Sequence, residues 1–210
     1  MNILITAFDA FNNQDINPTQ LIIDHLPDKI QHHVIDKLLL ETVRYKSIHT
    51  LIHQLKSKQY DAIVMLGYAQ NSDGFHVERV AINVDDFRIV DNEQNQPIDE
   101  KIHEDGANAY FSTLPIKAIV TSLLEHGFKA SISNSAGTFV CNHLFYGCAY
   151  HLQKTNKRIP FGFVHVPNLS TQKNSTFSYS LSDMLKAVVV IIETITLYQK
   201  DIKISGGKEY

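Results

Sequence analysis

Short apolar runs alternate with amphipathic segments along most of the chain, and this alternation constrains the fold more than any other feature. Asn2–Phe8 and His33–Leu40 have the length and composition of buried strands, and each precedes apolar residues at helical spacing. Asn17 and Pro18 predict the start of the first helix, as a cap residue followed by a first-turn proline. Strands that alternate with helices favour a three-layer α/β fold with a mostly parallel sheet.

The same periodicities predict elements as far as the C-terminus. Further strands are expected at 60–66, 79–83, 87–90, 129–133 and 161–166, and helices at 45–58, 115–126, 138–153 and 181–198. The sequence contains no linker-like stretch and no internal repeat, so we expect a single domain over residues 1–200. Residues 201–210 contain Gly206 and Gly207 and lack apolar periodicity, which predicts a flexible C-terminal tail.

Charge and cysteine content exclude several classes of protein. Lys and Arg total 19 against 22 Asp and Glu without a basic cluster, so no nucleic-acid partner is expected. The longest apolar run ends at Glu193 and is much shorter than the ~20 residues of a membrane-spanning helix, so no membrane association is expected. The N-terminal residues do not form a signal peptide, and two cysteines cannot form a disulfide framework. These features predict a cytoplasmic protein.

The two cysteines differ in their predicted surroundings. Cys141 falls in the first turn of a helix that follows a strand and a glycine turn, where unpaired amides favour a reactive thiolate and can stabilise an oxyanion. A buried, inert cysteine is the competing interpretation of that position. Cys148 lies seven residues further along the same predicted helix and is interpreted as a core residue. Their Cα atoms would be roughly 10 Å apart, too far for a disulfide, so both thiols should be free.

A thiol nucleophile needs a general base, and His165 is the best candidate among 11 histidines. It ends an apolar strand, at the sheet edge where α/β proteins place their sites. A hydrogen-bonded edge histidine is the alternative interpretation. His143 is only two residues from Cys141 and faces elsewhere on a helix. His49 and His53 have metal-compatible spacing but lack the glutamate of a metalloprotease motif, so no metal site is predicted.

A carboxylate should orient the imidazole of the base. The middle of the chain offers Glu78, Asp85, Asp86, Asp91 and Glu93. Residue type and position alone leave these acids interchangeable, and a solvated loop carboxylate is the default for each.

Three segments contain the candidate groups: NSAGTFVCNH at 134–143, ERVAIN at 78–83 and GFVHVP at 162–167. They resemble, in that order, the nucleophile signature, the glutamate signature and the histidine segment of the pyroglutamyl peptidase I family of cysteine peptidases. The similarity runs in order from about Asn2 to Pro167. Three separate motifs in the family's order make this resemblance specific.

The resemblance implies a catalytic triad of Glu78, Cys141 and His165, without a metal or organic cofactor. It implies a three-layer α/β/α sandwich with a mostly parallel mixed sheet, akin to the purine nucleoside phosphorylase architecture. The implied reaction is hydrolysis of the amide bond after an N-terminal pyroglutamyl residue of a peptide, through an acyl-enzyme. The resemblance also implies a homodimer or homotetramer. Substrate-binding positions carried over from the family are Phe8, Phe11, Asn17, Tyr68, Arg88, Ile89 and Val140.

Departures from the family pattern lie in loops that face the substrate. AFDAFNN at 7–13 replaces a glycine- and proline-containing loop, and Tyr68 stands where a glutamine implicated in lactam recognition is usual. One alternative is therefore a divergent member that hydrolyses or binds a different blocked N-terminus. Another is a nucleoside-binding protein with the same architecture, although the sequence lacks a glycine-rich phosphate fingerprint.

Overall fold

The computed structural model describes residues 1–12, 14–70, 72–172 and 177–207. Its helices are α1 (Pro18–His25), α2 (Arg44–Ser57), α3 (Ile116–Glu125), α4 (Val140–Lys154) and α5 (Leu181–Leu197). Its strands are β1 (Asn2–Phe8), β2 (Lys29–Ile30), β3 (His33–Leu40), β4 (Ala62–Tyr68), β5 (Phe75–Glu78), β6 (Val80–Ile82), β7 (Ala109–Phe111), β8 (Ala130–Ser133), β9 (Phe161–Val166), β10 (Asn168–Leu169) and β11 (Ser178–Tyr179).

One seven-stranded sheet organises these elements, in the order β2-β3-β1-β4-β9-β5-β8. Strands β3, β1, β4 and β9 run parallel to one another. β5 is antiparallel to β9 and parallel to β8, while β2 is antiparallel to β3. The predicted mostly parallel mixed sheet is confirmed.

Two apolar layers cover the sheet. Along β4, Val64 and Leu66 point into the core shared with α1, α3 and α5, whereas Ile63 and Met65 point into the core shared with α2 and α4. Because both faces of the central strands are covered, their residues are apolar almost without interruption. The three-layer α/β/α sandwich is confirmed. No helix among residues 1–12, 14–70, 72–172 and 177–207 is long and apolar enough to span a membrane.

The structure differs from the sequence-based expectations in the middle of the chain. Residues 87–90, predicted as a strand, have no regular secondary structure, although Phe87 is buried. β5, which was not predicted, is only four residues long and contains His76 and Glu78 on one face. A short strand with polar residues on one face lacks the continuous apolar run by which the other central strands are recognised.

Part of the expected C-terminal tail contacts the domain. The carboxylate of Asp201 accepts hydrogen bonds from the backbone amides of Lys117 and Ala118, at the start of α3. Arg79 donates to the carbonyl of Gly206 at 2.6 Å. Residues 201–207 are therefore attached to the domain by specific contacts. The rest of the expected tail, 208–210, lies outside the described residues.

Candidate active site

The pairing of β9 with β5 brings His165 and Glu78 together. His76 stands opposite His165 in this antiparallel ladder, and Glu78 lies two residues further on the same face. The imidazole Nδ1 donates to Glu78 Oε1 at 2.7 Å, and both side chains are almost fully buried. Among the acids that the residue pattern left open, Glu78 is the one that contacts His165.

Cys141 reaches the same place from α4. The turn before the helix contains Gly137 at φ 76°, a conformation that favours glycine. The N-cap Phe139 makes no side-chain cap bond, and the first intrahelical bond joins His143 N to Phe139 O. The amides of Val140, Cys141 and Asn142 are thus available at the positive end of the helix.

A glycine in β4 lets the helix start approach the sheet. Gly67 stands beside His165 in the parallel β4–β9 ladder. A Cβ added at Gly67 would lie 3.0 Å from Cys141 Sγ and 2.6 Å from the Phe163 ring. The thiol therefore lies directly over this glycine, next to the imidazole.

The surroundings of His165 favour its protonated form. Burial alone would lower the pKa of this imidazole, but hydrogen bonds to Cys141 and Glu78 outweigh burial and raise the pKa to about 10. The arrangement is a thiol, an imidazole and a carboxylate in one hydrogen-bonded line. Such a line can activate a nucleophile and later supply a proton to a leaving group.

Cys148 has different surroundings, as expected from the sequence. It is fully buried in the core between α4 and the sheet. Burial raises the pKa of its thiol to about 12. Both cysteines are free thiols, and Cys141 is the partly exposed one.

Aromatic side chains lie in the same apolar layer as the thiol, on one side of the sheet. Phe8 is buried on the sheet face that carries Gly67, at the end of β1. The ring of Phe139 packs against Phe11 at a centroid distance of 6.0 Å and against Phe87 at 4.6 Å. Sequence reasoning did not select Phe139 or Phe87. Phe139 could have been found from its position immediately before Val140 and Cys141 in the nucleophile segment.

Other candidate binding residues occupy different environments. Val140 is fully buried, Ile89 is half-buried and Arg88 is exposed. Asn17 caps α1 and holds the preceding loop, since its side chain accepts from Thr19 N and donates to Asp9 O. These bonds give Asn17 a structural role in shaping the loop that carries Phe11.

Tyr68 points away from the thiol. Alternation along β4 directs its side chain to the face opposite Gly67. There its hydroxyl donates to Asn168 Oδ1 at 2.5 Å, and burial raises its pKa. Only the backbone of Tyr68 therefore borders the side of the sheet on which Cys141 lies.

Two of the alternative acids belong to a separate buried cluster. Asp85 Oδ2 accepts from Arg44 Nε at 2.6 Å and from His143 Nδ1 at 2.8 Å. Asp91 accepts from the amide of Arg44 and from Asn95. This cluster joins α2 to α4 and does not include His165. Within the described part of the chain, no three His, Cys, Asp or Glu side chains are grouped so that they could hold a metal ion.

Comparison with known proteins identifies the family of this chain. A family model described as pyroglutamyl peptidase matches residues 1–198. The pyrrolidone-carboxylate peptidase of Fusobacterium nucleatum is 49% identical over 208 residues, covering 98% of this chain and 97% of that protein. That of Clostridium perfringens is 45% identical over 210 residues, covering 99% of each.

Solved structures show the same fold over nearly the whole chain. Pyroglutamyl peptidase I from Bacillus amyloliquefaciens superposes with a TM-score of 0.93 at 36% identity, covering 97% of this chain and 99% of that chain. Pyrrolidone carboxyl peptidase from Thermococcus litoralis superposes with a TM-score of 0.91 at 32% identity, with the same coverage. With this agreement in sequence and fold, the chain belongs to the pyroglutamyl peptidase family of cysteine peptidases.

Proposed function

We propose that the protein hydrolyses the amide bond after an N-terminal pyroglutamyl residue, with Cys141 as nucleophile, His165 as general base and acid, and Glu78 as orienting carboxylate. The observation that supports this most directly is the 2.7 Å bond from His165 Nδ1 to Glu78 Oε1, with the other side of the imidazole hydrogen-bonded to Cys141. The family assignment removes the reason for the nucleoside-binding alternative.

The reaction follows from these contacts. The Cys141 thiolate attacks the pyroglutamyl carbonyl, and the developing oxyanion is stabilised by the unpaired amides at the start of α4. Protonated His165 gives its proton to the leaving nitrogen, so the C–N bond breaks and a thioester remains. Neutral His165 then removes a proton from water, which attacks the thioester and releases pyroglutamate and the thiol. Glu78 keeps Nδ1 protonated throughout and stabilises the imidazolium.

Recognition of the acyl group is proposed to be mainly apolar. A pyroglutamyl ring is a neutral lactam, which is best matched by apolar walls and a few amide partners. We propose that Phe8, Phe11, Ile89, Val140 and Phe139 supply such walls. Arg88 is proposed to contact the substrate from the exposed rim, and Tyr68 to contribute its backbone.

The test is release of ammonia from pyroglutamyl amide by the reduced protein, with prolyl amide as the comparison substrate. Cys141→Ser should lower kcat/KM at least about 10³-fold, because an alcohol replaces the thiolate. Cys148→Ser is the matched control and should keep most of the activity if the protein folds. Activity on pyroglutamyl amide that survives in the Cys141 variant would refute the mechanism.

A divergent specificity is the second candidate. Tyr68 is turned away and hydrogen-bonded to Asn168, so its side chain makes no direct contact with a lactam over Cys141. If the reduced wild-type protein is alkylated at Cys141 yet fails to cleave pyroglutamyl amide, a different blocked N-terminus is its substrate.

We also propose that the protein is a homodimer or homotetramer and acts in the cytoplasm. Exposed large apolar side chains such as Ile98, Phe111 and Leu197 support self-association. Two free cysteines, one of them in the proposed site, support a reducing compartment. Light scattering coupled to size-exclusion chromatography would give the oligomeric state. A monomeric mass would refute the proposed self-association.

A further inference from the structure

One level of the central sheet carries a row of neighbouring residues on the face of Cys141. His165 stands opposite His76 in the β9–β5 ladder, and His76 stands beside Ser131 in the β5–β8 ladder. On the other side of His165 the same level contains Gly67, under the thiol. Phe8 lies two residues past the last β1–β4 pair, Thr6 and Met65, and so reaches this level too.

This row orders the substrate across the sheet, given the function proposed above. The acyl ring lies towards Phe8 and the reacting carbon lies over Gly67 and Cys141. Because His165 must give its proton to the leaving nitrogen, that nitrogen lies on the His165 side of Sγ. The rest of the leaving peptide then continues in the same direction, towards β5 and β8.

The sheet face in that direction is polar and partly open. His76 and Ser131 are both half-buried, whereas the apolar side chains of β5 and β8 point to the opposite face, where α3 packs. The His76 side chain is 21% exposed, and its Nε2 lies 3.0 Å from Asp73 Oδ1. A cavity of about 340 Å³ at this edge of the sheet is lined by His76 and Ser131, and also by Lys129, Ala130 and Leu124 of α3.

From this placement we propose that His76 and Ser131 form the binding site for the leaving peptide and set the preference for peptide over small-amine leaving groups. Neighbouring strands are about 4.8 Å apart, and an extended peptide advances about 3.4 Å per residue. His76 is therefore within reach of the first two residues after pyroglutamate, and Ser131 of the third. Asp73 holds the imidazole in position for this contact.

The test compares pyroglutamyl amide, whose leaving group is ammonia, with pyroglutamyl-trialanine. His76→Ala should lower kcat/KM for the peptide about tenfold, the effect expected from one lost polar contact, and leave that for the amide within about twofold. Ser131→Ala should also lower kcat/KM for the peptide and not for the amide, by a smaller factor. His53→Ala, which removes an exposed histidine of α2, is the matched control and should change neither rate.

His76→Gln keeps a side-chain donor for Asp73 and guards against misfolding of the alanine variant. The His76→Gln variant should fold. Its kcat/KM should still fall for the peptide and not for the amide, because the imidazole ring is missing. An equal loss on both substrates, or no loss on either, would overturn this inference and leave the proposed function intact. A wild-type protein that cleaves neither substrate would instead refute the proposed function.

Discussion

The thiol of Cys141 lies over Gly67, the one residue of β4 that has no side chain. A Cβ at Gly67 would be 3.0 Å from Sγ and 2.6 Å from the Phe163 ring. The closeness of α4 to the sheet, and hence the distance from the nucleophile to His165, depends on this glycine.

Gly67→Ala should therefore impair both folding and catalysis. Adding a methyl group to this packed position typically costs ~1–3 kcal/mol in the free energy of unfolding, because Phe163 or α4 must move. A displaced thiol should also lower kcat more than it raises KM. Urea unfolding and steady-state kinetics on pyroglutamyl amide check both effects. Unchanged stability and kcat would show that α4 is not held at this distance by Gly67.

The stability contributed by His165 should depend on pH in a defined direction. The pKa of the folded state, about 10, lies above the ordinary 6.5, so the folded protein binds the proton more tightly than the unfolded chain. The contribution is therefore fully present below about pH 6.5 and is lost as the pH rises through about 10.

The measurement is the difference in Tm between the wild type and His165→Gln at several pH values. This difference should shrink between pH 6.5 and pH 10. A difference that grows with pH would mean that His165 is neutral in the folded protein.

Asn142 should be a positioning residue for the nucleophile. Its side chain accepts from Ile82 N at 3.0 Å and donates to the carbonyls of Ile82 and Val84 at 2.9 and 3.0 Å. Asn142→Ala leaves these backbone groups unpaired in a buried place, at a cost of about 3 kcal/mol. Because Cys141 is the adjacent residue, we expect kcat to fall by about tenfold or more while KM changes little.

A control for that variant is Asn108→Ala, which changes an exposed asparagine and should alter neither stability nor kcat. Asn142→Asp keeps the acceptor for Ile82 N but loses both donors, so it should not restore activity. Full activity in Asn142→Asp would show that the two carbonyl contacts do not position Cys141.

Asp201 should stabilise the domain although it lies beyond the last helix. It accepts from the amides of Lys117 and Ala118, and α3 has no side-chain cap of its own because Pro115 occupies its N-cap. Asp201→Ala should lower the free energy of unfolding by about 1 kcal/mol, the usual value of a helix cap. Asp24→Ala, at an exposed position of α1, should have a much smaller effect. If the two variants lower the free energy of unfolding equally, Asp201 does not act as a cap of α3.

The sequence alone determined the features that depend on local pattern. Alternating periodicities predicted the α/β layers, and a glycine turn before a helix made Cys141 the candidate nucleophile, whereas Cys148 was interpreted as a core residue. The central strands were recognisable because they are buried on both faces and so are apolar throughout.

Only the tertiary structure decided which distant residues meet. The acids from Glu78 to Glu93 were equivalent by residue pattern, and only the antiparallel pairing of β5 with β9 brings Glu78 to His165 and leaves Asp85 with His143. The Tyr68 hydroxyl meets Asn168 across 100 residues of sequence, and the cap from Asp201 crosses more than 80. Such contacts depend on strand order and register, which a local sequence pattern does not contain.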